Sequence, residues 1–122
     1  MKLLGHVYID ALLGDPRRVK VIKKRMLVDT GATYTCISPK LADELGLTIV
    51  GESDVTLADK RKVKAGVSLA YAELGGRGDI VEVRIFETEE PILGVFTLEA
   101  LGLTVDPVSG EVSPTRSFTA RA

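Results

Sequence analysis

Met26-Leu27-Val28-Asp29-Thr30-Gly31-Ala32-Thr33 sets an apolar run directly before a carboxylate and follows it with a small hydroxylated residue and a glycine. The apolar run reads as a strand, so the acid stands at a strand end, where its side chain can be brought close to a partner group. Thr30 can lock the loop by hydrogen bonding, and Gly31 lets another backbone or a substrate approach with no Cβ in the way. Asp, Thr and Gly are also what an ordinary surface turn prefers, so context has to decide. Leu27-Val28 leads in, Ala32-Thr33 follows, and Ile37 comes just before a helix start. Farther on, Ile92-Leu93-Gly94 forms an apolar-apolar-glycine run followed by a short helical pattern.

Upstream, Leu3, Val7, Ile9 and Ala11 share one parity, which suits a strand. Gly14-Asp15-Pro16 marks a turn, and Val19, Val21 and Met26-Leu27-Val28 form the second arm of a hairpin, with Lys23-Lys24-Arg25 at an exposed bend or edge. Downstream, Ser38 can cap free backbone N–H groups and Pro39 suits the first helical position, predicting a helix from Pro39 to Leu45 that Gly46 ends. Leu47 to Val50 reads as a strand. Val55 to Lys64 alternates around the polar tip Ala58-Asp59-Lys60-Arg61 and reads as an exposed hairpin, although its turn lacks glycine. Past the turn Gly75-Gly76-Arg77-Gly78, residues 80–86 alternate, with Val81, Val83 and Ile85 opposite Ile80, Glu82, Arg84 and Phe86. Pro91 to Gly94 reads as a buried strand, and Thr97 to Leu101 as a brief helix capped by Gly102. Leu103-Thr104-Val105 passes through Asp106-Pro107-Val108-Ser109-Gly110, a tight connection, to a last strand near Glu111 to Ser113. The tail from Thr115 has weak signals. No repeat or linker divides residues 1–122, so one domain is expected, all-β with one or two short helices.

The 122 residues, 45% hydrophobic, suffice for one core, and 16 basic against 17 acidic residues leave a net charge of -1. That balance supplies no field to gather nucleic acid or anionic lipid, and the basic cluster Lys60, Arg61, Lys62 and Lys64 reads as a solvated hairpin. Cys36 is the single cysteine, so neither an internal disulfide nor a four-ligand zinc site can form from cysteines; it is expected in the core, in a reducing, cytoplasmic setting. His6 is the single histidine, which excludes any site needing two imidazoles. No metal and no cofactor is expected, and the available chemistry is mostly that of carboxylates. Met1-Lys2-Leu3-Leu4 opens like a signal peptide, but Gly5, His6 and Asp10 interrupt it, and no stretch approaches the roughly 20 apolar residues of a membrane span.

The run Asp29-Thr30-Gly31 resembles the catalytic motif of the aspartic proteases. With Ile92-Leu93-Gly94, the order of elements resembles the retroviral type: hairpin, catalytic loop, helix, flap, apolar-apolar-glycine strand, helix, terminal strands. The resemblance implies a retropepsin-like acid protease barrel with one lobe per chain. It makes Asp29, Thr30 and Gly31 catalytic, and Ala32 and Thr33, with Leu57, Ala58 and Asp59 of the flap, substrate-binding. Ile92, Leu93 and Gly94 become structural, with Gly94 the close-approach residue. Many viral members carry Asp where Thr33 stands and Arg where Val95 stands. Both are absent together, which leaves no orphan charge and points to a cellular or prokaryotic branch.

Such chemistry needs two carboxylates sharing one proton, and the chain holds one such motif; Asp106 has a sufficient explanation in its Asp-Pro turn. The economical solution is a homodimer that brings Asp29 of each copy to the two-fold axis, acting on a peptide or protein substrate. Its rival is a catalytically inactive dimerisation or peptide-binding module on the same fold. A β-barrel adaptor with a chance Asp-Thr-Gly turn stands behind both, because Ile92-Leu93-Gly94 would then be a coincidence too.

Overall fold

The alternating residues of the first segment form strand β1 (Val7–Gly14), which pairs antiparallel along its whole length with β2 (Val21–Val28), from Val7↔Val28 to Gly14↔Val21. The computed structural model describes residues 7–118; Leu3, His6 and the end of the tail lie outside them. Lys23, Lys24 and Arg25 are no bend. They continue β2, opposite Leu12, Ala11 and Asp10, on an edge open to solvent because the other side of β2 is paired only at Leu27 and Val28.

Strand β3 (Thr35–Ile37) leads into α1 (Pro39–Leu45), whose first turn is capped by Ser38 Oγ accepting from Leu41 N–H and whose end is the left-handed Gly46. The strand expected over Leu47–Val50 does not form. Leu47 N–H is bound by the Ala42 carbonyl in the helix cap, and the Thr48 carbonyl accepts from Ser68 Oγ at 2.6 Å, so only Val50, whose N–H donates to the Val67 carbonyl at 2.8 Å, reaches the ladder. The next strand, β4, begins at Gly51 (Gly51–Thr56). It pairs with β5 (Lys62–Leu74) from Gly51↔Val67 to Thr56↔Lys62, making the expected exposed hairpin. Lys60 takes the left-handed position that glycine would usually hold at its tip, with φ 69°. Ala65–Leu74, where the sequence predicts no element, continue the same strand past the hairpin into the barrel.

Gly75 and Gly76 turn β5 into β6 (Arg77–Ile85). Next come β7 (Ile92–Leu93), α2 (Val95–Leu101), β8 (Leu103–Val105) and β9 (Val112–Pro114). Helix α2 starts two residues before its expected first turn and ends at Gly102 as expected. Residues 115–118 run on under hydrogen bonds, Thr115 N–H to the Gly102 carbonyl and the Arg116 guanidinium to the Glu99 and Ala100 carbonyls.

The large sheet has the order β1-β2-β7-β3-β6-β5-β4, and β1 also pairs with β5 through Leu12↔Glu73, Leu13↔Ala72 and Gly14↔Tyr71. That second pairing closes the sheet into a barrel, which removes most exposed edges. Strand β4 stays outside the ring, so its hairpin with β5 projects from the wall. The interior holds Leu13, Met26, Ile37, Val83 and Leu93, with Leu45 of α1 and Leu101 of α2, each under 3% exposed. Helices of seven residues are unstable alone; burial of Leu41, Leu45, Leu98 and Leu101 against the barrel holds them in place. Among the described residues no helix is long and apolar enough to cross a membrane.

Candidate active site

Strand β7 is inserted between the two strands that flank the Asp29 loop. It runs parallel to β2 (Leu27↔Ile92, Val28↔Leu93) and antiparallel to β3 (Cys36↔Ile92). Leu27 N–H donates to the Pro91 carbonyl at 2.9 Å and Asp29 N–H to the Leu93 carbonyl at 3.1 Å, so the backbone of the acid itself is pinned by β7. Gly94 then crosses directly beside the loop, where a Cβ would overlap the carbonyl group of Tyr34. The Gly94 N–H donates to Thr35 Oγ1 at 3.1 Å, and the Thr35 hydroxyl shares a 2.7 Å hydrogen bond with that of Thr97, both residues buried. Two backbone bonds tie α2 to the loop, Val95 N–H to the Ala32 carbonyl at 2.9 Å and Phe96 N–H to the Thr33 carbonyl at 3.0 Å. The main chain thus makes this connection in a molecule with uncharged Thr33 and Val95.

Within the loop, Asp29 Oδ1 accepts from Gly31 N–H at 2.9 Å and the Asp29 carbonyl from Ala32 N–H at 3.0 Å. One carboxylate oxygen is thereby oriented by the backbone, as in an Asx turn. Asp29, Thr30 and Gly31 are exposed in the single chain. Asp29 lies in the floor of a cleft of about 570 Å³, with the β4–β5 hairpin as its roof. Of the residues singled out from sequence, the cleft brings together Asp29, Gly31, Ala32, Thr33, Leu57, Ala58 and Ile92. Thr30 does not line it. Nor does Asp59, whose two carboxylate oxygens both receive Arg61, from its backbone N–H at 3.0 Å and its Nε at 2.6 Å. Leu93 and Gly94 are buried behind the floor. A second cavity, of about 650 Å³, lies between Arg18, Tyr71, Asp79 and Phe118 and contains none of these residues.

The cleft also contains residues the sequence reading did not assign to it, among them Tyr34, Asp54, Arg84 and Phe86. Asp54, on the roof, faces Lys64 at 3.9 Å with both side chains largely exposed, a contact of little energy. Arg84 differs in kind, with a side chain only 7% exposed. Its guanidinium lies over the Tyr34 ring, 3.7 Å from the centroid; Nε donates to Ser53 Oγ at 3.1 Å and Nη1 to Glu82 Oε1 at 2.7 Å. Tyr34 meets Phe96 edge to face, with centroids 5.4 Å apart. The signal available in sequence was an arginine on the same strand parity as Phe86, two residues from Glu82; the face it looks onto is set by the pairing of Arg84 with Cys36 and Val67.

Cys36 is buried, as expected, with its Sγ–H donating to the Tyr34 carbonyl at 3.3 Å. Burial pushes the thiol up from 9.0 to about 11, with Asp29 adding to the rise and Arg84 opposing it. The group is therefore a neutral thiol at neutral pH, and thiolate is the reactive form. Native protein at pH 8 is expected to resist alkylation by iodoacetamide that unfolded protein undergoes readily; equal rates in buffer and in urea would contradict this placement. Because the folded value is the higher one, the stabilisation is complete below about 9 and is lost as the pH rises to about 11. Among the described residues no group of three or more His, Cys, Asp or Glu side chains could hold a metal ion.

Residues 18–105 match the family model described as aspartyl protease. No curated protein matches the sequence at a significant level. Among solved structures, the chain is similar to EIAV protease complexed with the inhibitor HBY-793, with a TM-score of 0.65 and 17% identity over 84% of this chain and 93% of that one. The likeness establishes the fold expected from the sequence, a retropepsin-like β barrel with two short helices, one lobe per chain.

Proposed function

The chain belongs to the aspartyl protease family, and from that premise we propose that it is an aspartic endopeptidase whose active site forms between two copies of the chain. The observation that carries this reading is Asp29. Its backbone is pinned by β7, one carboxylate oxygen is oriented by Gly31 N–H, and the residue stands exposed beneath a projecting hairpin. A single chain supplies one acid so placed; Asp54 sits on the roof and leans towards Lys64. A two-fold homodimer supplies the second, with the Asp29 loops at the axis, Thr30 reaching across it, and strands near the chain ends completing the interface.

In that dyad two carboxylates share one proton, since two adjacent negative charges cannot both persist. The ionised member takes a proton from a bound water as the water oxygen attacks the scissile carbonyl, and the protonated member hydrogen-bonds the carbonyl oxygen. The tetrahedral intermediate collapses when the departing amine nitrogen receives a proton from the dyad, which returns to its single-proton state. Gly31, Ala32 and Thr33 would meet the peptide from below, and Leu57 and Ala58 from above, the hairpin closing over it to exclude water. Asp59, engaged with Arg61, would shape the hairpin tip. A cytoplasmic setting suits the unpaired, buried Cys36.

The test is a peptide-library digest across a pH series, with and without an active-site-directed aspartic protease inhibitor. Cleavage is expected to peak at acidic pH, to follow a bell whose two limbs belong to the dyad rather than to either residue, and to stop with inhibitor. Silence at every pH would instead favour an inactive peptide-binding or dimerisation module.

A further inference from the structure

The cleft carries a buried cation that peptide hydrolysis as such does not require. We propose that Arg84 makes this cleft selective for substrates with a carboxylate side chain, Asp or Glu, at the position that sits over Tyr34. The inference rests on the reading of this cleft as a peptide-binding site and adds the class of peptide it prefers.

A guanidinium has five N–H donors in a planar fork. Arg84 commits one from Nε to Ser53 Oγ and one from Nη1 to Glu82 Oε1. The remaining three, including both on Nη2, have no partner among the described residues, yet Nη2 is not closed off as an orphaned buried atom. Since Arg84 lines the cleft, those donors are available to a bound molecule there. The group is also held in place. Tyr34 lies under it at 3.7 Å, Phe96 braces Tyr34 edge-on, and Ser53 fixes it from β4. A preorganised, desolvated fork loses little entropy on binding a carboxylate and meets it with two parallel charge-assisted bonds.

The surrounding charges favour the same ligand. Asp29 and Asp54 line the cleft but are exposed to solvent, whereas Arg84 is buried, and its one ionic partner, Glu82, is half-exposed and does not line the cleft. Water screens the exposed acids more than the buried cation. A basic peptide side chain placed over Tyr34 would meet Arg84 directly, and a neutral one would leave its donors with nothing better than water.

The experiment uses the full-length protein carrying Asp29→Asn, so that bound peptides are not cleaved, and measures fluorescence anisotropy with peptides that differ by Glu, Gln or Lys at one position at a time. At one position the Glu peptide is expected to bind about ten-fold more tightly than its isosteric Gln partner, with Lys weakest, and the ratio is expected to shrink with added salt. Arg84→Met should bring the Glu/Gln ratio to about one, and Arg84→Lys should restore part of it. Glu82→Gln, which removes the competing acid without touching the core, should enlarge the ratio and decides the matter even if Arg84→Met does not fold. Equal Glu and Gln affinities at every position, absence of binding by any acidic peptide, or a ratio indifferent to both Arg84→Met and Glu82→Gln overturns the proposal. Selective binding by a protein that cleaves nothing would sink the proteolytic reading and leave this one standing. Cleavage with no acidic preference would do the reverse.

Discussion

Asp29→Asn is expected to reduce peptide cleavage by about 10⁴-fold or more while leaving the fold and the dimer intact. The asparagine side chain has the same shape, and its carbonyl oxygen can still accept the Gly31 N–H that orients Asp29 Oδ1 at 2.9 Å. What it cannot do is carry the negative charge that draws a proton from water. Circular dichroism and sedimentation should show an unchanged barrel and dimer, and cleavage close to wild type would remove Asp29 from the mechanism. The same variant tests the shared site. Once subunits have exchanged, an equal mixture of wild-type and Asp29→Asn chains leaves about a quarter of the dimers with two intact carboxylates. Activity should therefore fall to about a quarter of that of an all-wild-type sample at the same total concentration. A site built within one chain would retain about half.

The largest effect on stability is expected from Gly94→Ala, about 3 kcal/mol or more. The added methyl would run into the carbonyl group of Tyr34 and come within 2.9 Å of Thr35 N, so every neighbour it meets is backbone and none can swing aside. Relief requires β7 to move away from the Asp29 loop. That movement would strain the bond from Gly94 N–H to Thr35 Oγ1 and the one from Asp29 N–H to the Leu93 carbonyl. Chemical denaturation should show the loss, and the melting temperature should drop by about 10 °C or more. Cleavage should fall along with stability because the displaced strand pins the acid. Gly51→Ala is the control, since a Cβ there meets nothing within 4 Å; it should stay within about 0.5 kcal/mol of wild type. Equal behaviour of the two variants would show that the crossing at Gly94 is looser than its geometry indicates.

Several features could be read from the chain because short-range rules govern them. Ser38 and Pro39 start α1 and Gly46 stops it, and those residues act within one turn of helix. Leu47–Val50 followed no such rule. A tetrapeptide rich in β-branched residues suits a strand, but Leu47 N–H is taken by the end of α1 and the Thr48 carbonyl by Ser68, twenty residues along the chain, which leaves only Val50 to meet β5. Ala65–Leu74 carries no clear strand signal because β6 holds one edge of it while the other edge passes from β4 at its start to β1 near its end, so an alternating stretch runs into a nearly continuously buried one and no single periodicity spans it.

By itself the sequence determined an all-β chain with short helices, the acid at the end of β2 and the exposed hairpin. Each rests on a residue type whose chemistry or backbone freedom acts locally. Only the tertiary structure decided that position 94 must lack a Cβ, because the Tyr34 backbone crosses it, and that Tyr34, Asp54, Arg84 and Phe86 share the cleft with Asp29. Arg84 owes its place to Ser53, Tyr34 and Glu82, which reach it from three strands or loops, and to the pairing of β6 with β3 that turns it towards the floor. A buried charge is tolerated only where such partners converge, and convergence across fifty residues of chain is a property of packing.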